Sequence, residues 1–441
     1  MQVHLTTLGC RLNEAELESW ATGFMSKGHV ITETPQWADV VVINTCAVTQ
    51  DAVRKSRQLI RRTHRNNPTA KLVVSGCYSS LNKSLADEIE GIDLLIPNHD
   101  KEKLVELTMH ELNMSTMPSE ATVPGESSLF KRGRQRAFIK IQDGCRYRCT
   151  YCIVTIARGN ERSRSIKDII DEINHLTSQG IHEAVLTGVH AGGYGSDINC
   201  DLYDLIKVIL NETDLPRLRL ASVEPWDLPD RFFELFSNPR LMPHMHLPLQ
   251  SGSDSVLKRM LRRCNTADFK RLIDYARKEV PDFNVTTDVI VGFPGETKKE
   301  WQKGLEFIRL AEFSHIHIFS YSGREGTKAA DLPDQVSKDE KKKRSVQLHQ
   351  LAAEMKIAYL GKHINREFPI LWERNSTTDK TDSTRYFGYT PNFIRAQIDV
   401  TSNAILTNKI LRARITSVNP SGESVLSVKA GSDLTNFSVT S

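Results

Sequence analysis

Between Lys140 and Gly159 the chain reads KIQDGCRYRCTYCIVTIARG, which sets Cys145, Cys149 and Cys152 at C-x3-C-x2-C spacing. Three thiols this close suit three kinds of chemistry. A structural zinc ion takes four ligands, so it needs a fourth residue from elsewhere. A disulfide cannot use three cysteines evenly, and no N-terminal apolar segment directs the chain to an oxidising compartment. An iron–sulfur cube held by three thiolates keeps one iron open for another ligand, and this reading suits the spacing best.

Three of the other cysteines share a setting. VHLTTLGC (Val3 to Cys10), VVVINTC (Val40 to Cys46) and KLVVSGC (Lys71 to Cys77) each read as an apolar, β-branched strand ending at a cysteine. Amphipathic stretches such as EAELESWATGFMSKG lie between them and have helical periodicity. Alternating strands and helices predict a parallel sheet, whose carboxyl-end loops commonly form a site. Cys10, Cys46 and Cys77 could therefore meet as a second metal site, or be three chance cysteines at strand ends. Cys200 and Cys264 stand alone and read as small buried hydrophobes.

The elements that must position these groups divide the 441 residues into an expected α/β protein of two or three domains. Residues 1–112 read as an α/β domain with a parallel sheet. The interval 113–135 is rich in Ser, Pro, Gly and charge and reads as a linker. Residues 136–360 hold six candidate strands, RAFIKIQDG, EAVLTGVH, RLRLASVEP, HMHLPLQS, NVTTDVIVGFPGE and HIHIFSYSG, separated by helical patterns. That alternation predicts a partial (β/α)6 barrel with chemistry at its carboxyl ends, and the cysteine loop follows its first strand. A charged helical stretch from Ser337 to His363 leads into short strand patterns over 364–438, which suggest a small β-barrel.

The net charge of +4 permits an RNA partner without requiring one. RKSRQLIRR sets Arg54, Arg57 and Arg61 on one helical face just beyond Cys46, either as an RNA contact or as a solvated face. KRGRQR (Lys131 to Arg136) is a second basic run. No apolar run approaches the ~18 residues of a membrane span, so the chain reads as cytoplasmic.

With both cysteine triplets in place, the chain resembles the methylthiotransferases of the radical S-adenosylmethionine (SAM) superfamily over nearly its whole length. LGCRLNEAE, INTCAVTQDAVRKSRQLIRR and SGCY look most like the subgroup that modifies N6-threonylcarbamoyladenosine at position 37 of transfer RNA. The resemblance implies two [4Fe-4S] clusters, one on Cys145, Cys149 and Cys152 and a sulfur-carrying one on Cys10, Cys46 and Cys77. It also implies two SAM molecules per turnover, one methylating the sulfur and one yielding the radical that removes hydrogen from C2 of adenine. The C-terminal region is similar to the TRAM RNA-binding domain, and the implied partners are the anticodon loop, a flavodoxin-like or ferredoxin-like electron donor, and a sulfur donor.

Residue by residue, Asn13 matches the family's Asn near the sulfur-carrying cluster, with a helix N-cap as its plainer role. Tyr151 stands where the superfamily places an aromatic beside the adenine of SAM, or simply packs. Gly188 in TGVHAGGYG matches the place that receives the SAM amino group. Glu224, Asp288 and Gly292, at other strand ends, could meet its ribose and adenine, or act as loop caps. Two departures from the family pattern stand out: Thr155 where many members have proline, and Tyr-Ser-Ser after Cys77. The rival readings are a methylthiotransferase for isopentenyladenosine-37 or for a ribosomal-protein aspartate, and a non-catalytic RNA-binding protein with structural zinc.

Overall fold

Five strands open the chain: β1 (Gln2–Thr7), β2 (Val30–Ile31), β3 (Val40–Thr45), β4 (Lys71–Gly76) and β5 (Leu94–Ile96). The computed structural model, which describes residues 1–82, 84–114, 135–373, 377–378, 384–400, 405–419 and 425–430, joins them as a parallel sheet in the order β2-β1-β3-β4-β5. Central β3 is buried along its whole length, as a parallel strand covered on both faces must be. Val40 and Val42 pack with Trp20, Phe24 and Leu104 on one side. Val41 and Ile43 pack with Ile60, Leu72 and Val74 on the other. The sheet is the expected one.

The helix Arg11–Ser26 starts earlier than its charged stretch suggests, because Cys10 takes the N-cap position. Asn13 therefore lies inside the first turn and does not cap the helix. Most of the expected linker, and Lys131 to Arg134 of the basic run, fall outside the described residues. Arg136 of that run is ion-paired with Glu373 at 2.8 Å and lies over the Tyr389 ring, so it is held inside the protein.

Seven strands build the middle of the chain: β6 (Arg136–Asp143), β7 (Arg162–Ser163), β8 (Glu183–Gly188), β9 (Arg217–Leu220), β10 (His244–His246), β11 (Asn284–Val291) and β12 (His315–Ser320). Six are parallel neighbours in the order β6-β8-β9 and β10-β11-β12. Bridges from Leu218 to Leu241 and from Ser222 to His246 join the two sets. The short β7 adds an antiparallel edge to β6. Helices such as Ile166–Ser178 and Leu202–Glu212 close the outside, with Ile169, Ile173, Leu205 and Ile209 in one core with the strands. This is the partial barrel that the alternation predicts.

The helix Lys338–Gly361 leads to β13 (Glu367–Trp372), β14 (Thr377–Thr378), β15 (Thr384–Tyr389), β16 (Arg395–Val400), β17 (Ile410–Asn419) and β18 (Val425–Ala430). A pairing of β13 with β15 curls this mostly antiparallel sheet back on itself, around Phe368, Ile370, Trp372 and Ile398. The turn between β15 and β16 seats against the amino ends of the central strands. Its Thr390, Pro391 and Asn392 carbonyls accept from Arg217, Arg219 and Asn284. The C-terminal unit thus closes the end of the barrel opposite the cysteine loop.

Candidate active site

Parallel pairing of β1, β3 and β4 carries Cys10, Cys46 and Cys77 to one place. The charges of Cys77 and Cys10 both bear on the Cys46 thiol, and an added Cβ on Gly9 would sit 3.4 Å from Cys46 Sγ. Gly76 allows the approach: its φ is +109°, and a Cβ there would meet the Thr45 carbonyl oxygen at 2.3 Å. Asn13 is buried among these ends and donates from Nδ2 to the carbonyls of Leu8 (3.0 Å) and Thr45 (3.3 Å). The Ser79 and Ser80 hydroxyls, at the family departure after Cys77, both donate to the Gly76 carbonyl at 2.9 Å.

The second triplet sits in the loop after β6. Cys145 N donates to Gly159 O at 3.0 Å, Cys152 N to Cys149 O at 3.0 Å, and Thr155 Oγ1 to Tyr147 O at 2.9 Å. At the other departure, then, the threonine hydroxyl ties the loop. None of the cysteines is in a disulfide.

Each triplet has a buried guanidinium against one thiol. Arg158 Nε lies 3.3 Å from Cys77 Sγ, and Arg262 Nη1 lies 3.9 Å from Cys149 Sγ. Burial pushes the Cys145 thiol up to about 12 and those of Cys46 and Cys152 up to about 11. Thiols so desolvated form thiolates when a metal compensates the charge. Two convergent sets of three thiols, each with a cation beside it, fit anionic iron–sulfur groups.

The other candidate residues group unevenly. Tyr151 is held close to Cys149, Arg262 and Glu224 and meets Phe293 edge-on. Arg262 Nη2 donates to Glu224 Oε2 at 2.6 Å. Gly292 N donates to Glu296 Oε2 at 3.0 Å; its φ is +73° and a Cβ there would meet Lys341 Cγ at 2.4 Å, so backbone conformation and packing both favour glycine. Asp288 Oδ1 lies 3.1 Å from His246 Nε2, in a cluster with His317 across β10, β11 and β12.

Gly188 lines a cavity of about 770 Å³ that is also walled by Cys10, Arg11, His246, His317 and Phe393. All three units meet there. Arg54, Arg57 and Arg61 lie on the helix Gln50–Asn66, away from this cavity. Arg54 pairs with Asp51 at 2.5 Å and Arg57 with Glu88 at 2.8 Å, whereas Arg61 borders a surface groove with Lys55, Arg62 and Arg65.

Sequence reasoning missed Arg158, Arg262 and the cavity wall. Arg158 joins the two triplets, since it follows Cys152 by one short helix, Val154–Arg158, and reaches back to Cys77, Asn13 and Glu16. Glu16 is also held by Lys101 at 2.5 Å. The charge of Arg158 keeps the Glu16 carboxyl well below its usual range despite burial.

Residues 139–308 match the model of the Radical SAM superfamily and residues 2–97 that of Uncharacterized protein family UPF0004. The fold is similar to that of the radical S-adenosylmethionine methyltransferase TsrM from Kitasatospora setae, with a TM-score of 0.56, 16% identity, and coverage of 75% of this chain and 77% of that one. Fold and cysteine site together define a radical SAM enzyme. The chain is 35% identical to the threonylcarbamoyladenosine tRNA methylthiotransferase MtaB of Bacillus subtilis, over 93% of this chain and 92% of that one. It is 36% identical to the MtaB of Thermotoga maritima, over 84% and 86%. To the tRNA-2-methylthio-N(6)-dimethylallyladenosine synthase of Geobacillus kaustophilus it is 34% identical, over 88% and 75%. The chain belongs to the radical SAM methylthiotransferases.

Proposed function

We propose that this enzyme adds a methylthio group to C2 of N6-threonylcarbamoyladenosine at position 37 of transfer RNA. One observation carries the reading: Cys10 and Gly188 line the same cavity. One wall would hold the sulfur-carrying cluster and the other the reactive end of SAM. An adenine between them has both partners within reach, which is the positional requirement of a bond-forming step.

Cys10, Cys46 and Cys77 would hold one [4Fe-4S] cluster, and Cys145, Cys149 and Cys152 the other, beside Tyr151 and the Glu224–Arg262 pair. When bound, these clusters and SAM supply the one-electron chemistry and the sulfur. Such chemistry is needed because an aromatic C2–H is too weak an acid for a general base at neutral pH. The protein's share is placement. Asn13 and Arg158 lock the N-terminal triplet to the barrel, and Phe393 and Ile394 of the turn after β15 add apolar surface to the cavity wall. A base entering the cavity must leave its stack, so the target is a single-stranded loop, and the basic face of Arg54, Arg57 and Arg61 would follow its phosphates. An electron donor of the flavodoxin or ferredoxin type and a sulfur donor complete the partners. Among the described residues no helix is long and apolar enough to cross a membrane, in keeping with work on transfer RNA in the cytoplasm.

The reading is tested by giving the anaerobically reconstituted enzyme SAM, a reductant, sulfide and anticodon stem-loops whose residue 37 is N6-threonylcarbamoyladenosine, isopentenyladenosine or adenosine. Nucleoside mass spectrometry should show a methylthio group on the first alone. Product on isopentenyladenosine instead would overturn the substrate assignment and leave the enzyme class intact.

A further inference from the structure

Arg11 follows Cys10 directly and borders the same cavity. Its guanidinium packs against the rings of Phe138 and Phe393, 5.9 and 5.5 Å from their centroids. The neighbouring arginines are neutralised. Arg217 and Arg219 share the buried Glu183, at 3.0 and 3.1 Å, and Arg136 has Glu373. Among the described residues Arg11 has no carboxylate partner within ion-pair distance and makes no hydrogen bond from its side chain. A half-buried guanidinium left with only ring faces is an incomplete pair, and its planar fork suits a carboxylate.

The rest of the wall agrees in sign. Lys356 and Arg395 border the cavity, and no aspartate or glutamate does. His246 on the wall is engaged by Asp288 at 3.1 Å, and the carboxylate whose charge bears on Arg11 is Glu14, beyond ion-pair distance and outside the lining. Burial lowers His244, His315 and His317, so these imidazoles are neutral hydrogen-bonding groups at pH 7. The residues lining the cavity thus include Arg11, Lys356 and Arg395 and no carboxylate.

Taking the substrate reading above as its basis, we propose that Arg11 binds the threonyl carboxylate of the N6 substituent and so selects this nucleoside over isopentenyladenosine. Adenine's own geometry supports the placement. C2 and the N6-bearing carbon flank N1 on one edge of the ring, so a residue adjoining the cysteine that serves C2 is in reach of a chain extending from N6. An isopentenyl group offers Arg11 no counter-charge, and its entry leaves the cation desolvated and unpaired.

The test is equilibrium binding, read by fluorescence anisotropy on the reconstituted full-length enzyme without turnover. The probes are anticodon stem-loops carrying the threonylcarbamoyl nucleoside, its methyl ester, isopentenyladenosine or adenosine. The wild type should bind the free acid about tenfold or more tighter than the ester. Arg11→Gln should bind both equally, with its affinity for the adenosine stem-loop unchanged. A variant that keeps the preference for the acid overturns the assignment, and so does one that weakens every stem-loop equally, since Arg11 would then serve a backbone phosphate. If Arg11→Gln fails to fold, the ester decides alone: wild-type enzyme binding ester and acid equally overturns the proposal. A wild type that prefers isopentenyladenosine removes the substrate reading itself, and the assignment with it.

Discussion

Arg158 Nε donates to Cys77 Sγ at 3.3 Å across a sequence separation of 81 residues. The arginine comes from the loop that carries the second cysteine triplet, and the sulfur belongs to the first. Its other nitrogens donate to Glu16 at 2.8 Å, Asp143 at 3.0 Å and Asn13 at 2.9 Å. One side chain thus ties the N-terminal sheet, the barrel and both triplets together, so the geometry between the triplets depends on it.

Replacing Arg158 by Met should destabilise the protein by about 3–5 kcal/mol, because Glu16 and Asp143 are left buried with less compensation. Denaturant unfolding of the wild type and the variant measures this. A loss under about 1 kcal/mol, the range of an exposed pair, would show that the network is not what joins the two units.

Gly76→Ala should cost the N-terminal cluster and spare the other. A Cβ at this position meets backbone atoms of Thr45 at 2.3 and 2.4 Å, and φ is +109°, so β4 must move away from β3 just where Cys46 and Cys77 leave the sheet. After reconstitution, iron should fall to about half of the wild-type content. Full iron in a folded variant would contradict the placement of that triplet.

Stability should fall in acid through Glu183. Burial alone would raise its carboxyl, but Arg219, then Arg217 and Arg136, hold it down at about 2 from an ordinary 4.5. Between these values the unfolded chain binds the proton and the folded one does not, so the contribution is complete above about pH 4.5 and is lost as pH falls toward 2. Glu183→Gln should flatten the pH dependence of unfolding over that window. An unchanged slope would assign acid sensitivity to other carboxylates.

Arg54, Arg57 and Arg61 should act through phosphate. Changing all three to Ala should weaken transfer RNA binding and reduce the slope of log affinity against log salt by about 0.7–0.9 for each phosphate no longer neutralised, alike for every stem-loop sequence. Arg54 and Arg57, already paired with Asp51 and Glu88, should each account for less than Arg61. A triple variant with the wild-type salt slope would return this helix face to plain solvation.

Much of this molecule is legible in its sequence because its signals are local. Val40–Thr45 opens with the apolar, β-branched run Val40–Ile43 and is of strand length, and the cysteine that follows it stands where a parallel strand's carboxyl end must lie. The six central strands are readable for the same reason. Arg158 is not, since nothing in IARG shows that its partners come from residues 13, 16 and 77. Nor is the turn from Thr390 to Ile394, whose seat depends on Arg217, Arg219 and Asn284 far earlier in the chain. Strand β7, two residues long, is too short for any periodicity.

Iron and acid-labile sulfide per chain test the central claim most directly, measured after anaerobic reconstitution of the wild type and of two variants, one with Cys10, Cys46 and Cys77 changed to Ala and one with Cys145, Cys149 and Cys152 changed to Ala. Two cubes on separate triplets predict about eight irons in the wild type and about four in each variant. About four in the wild type, all lost with Cys145, Cys149 and Cys152, would leave Cys10, Cys46 and Cys77 without a cluster and contradict the account; zinc in place of iron would contradict it entirely.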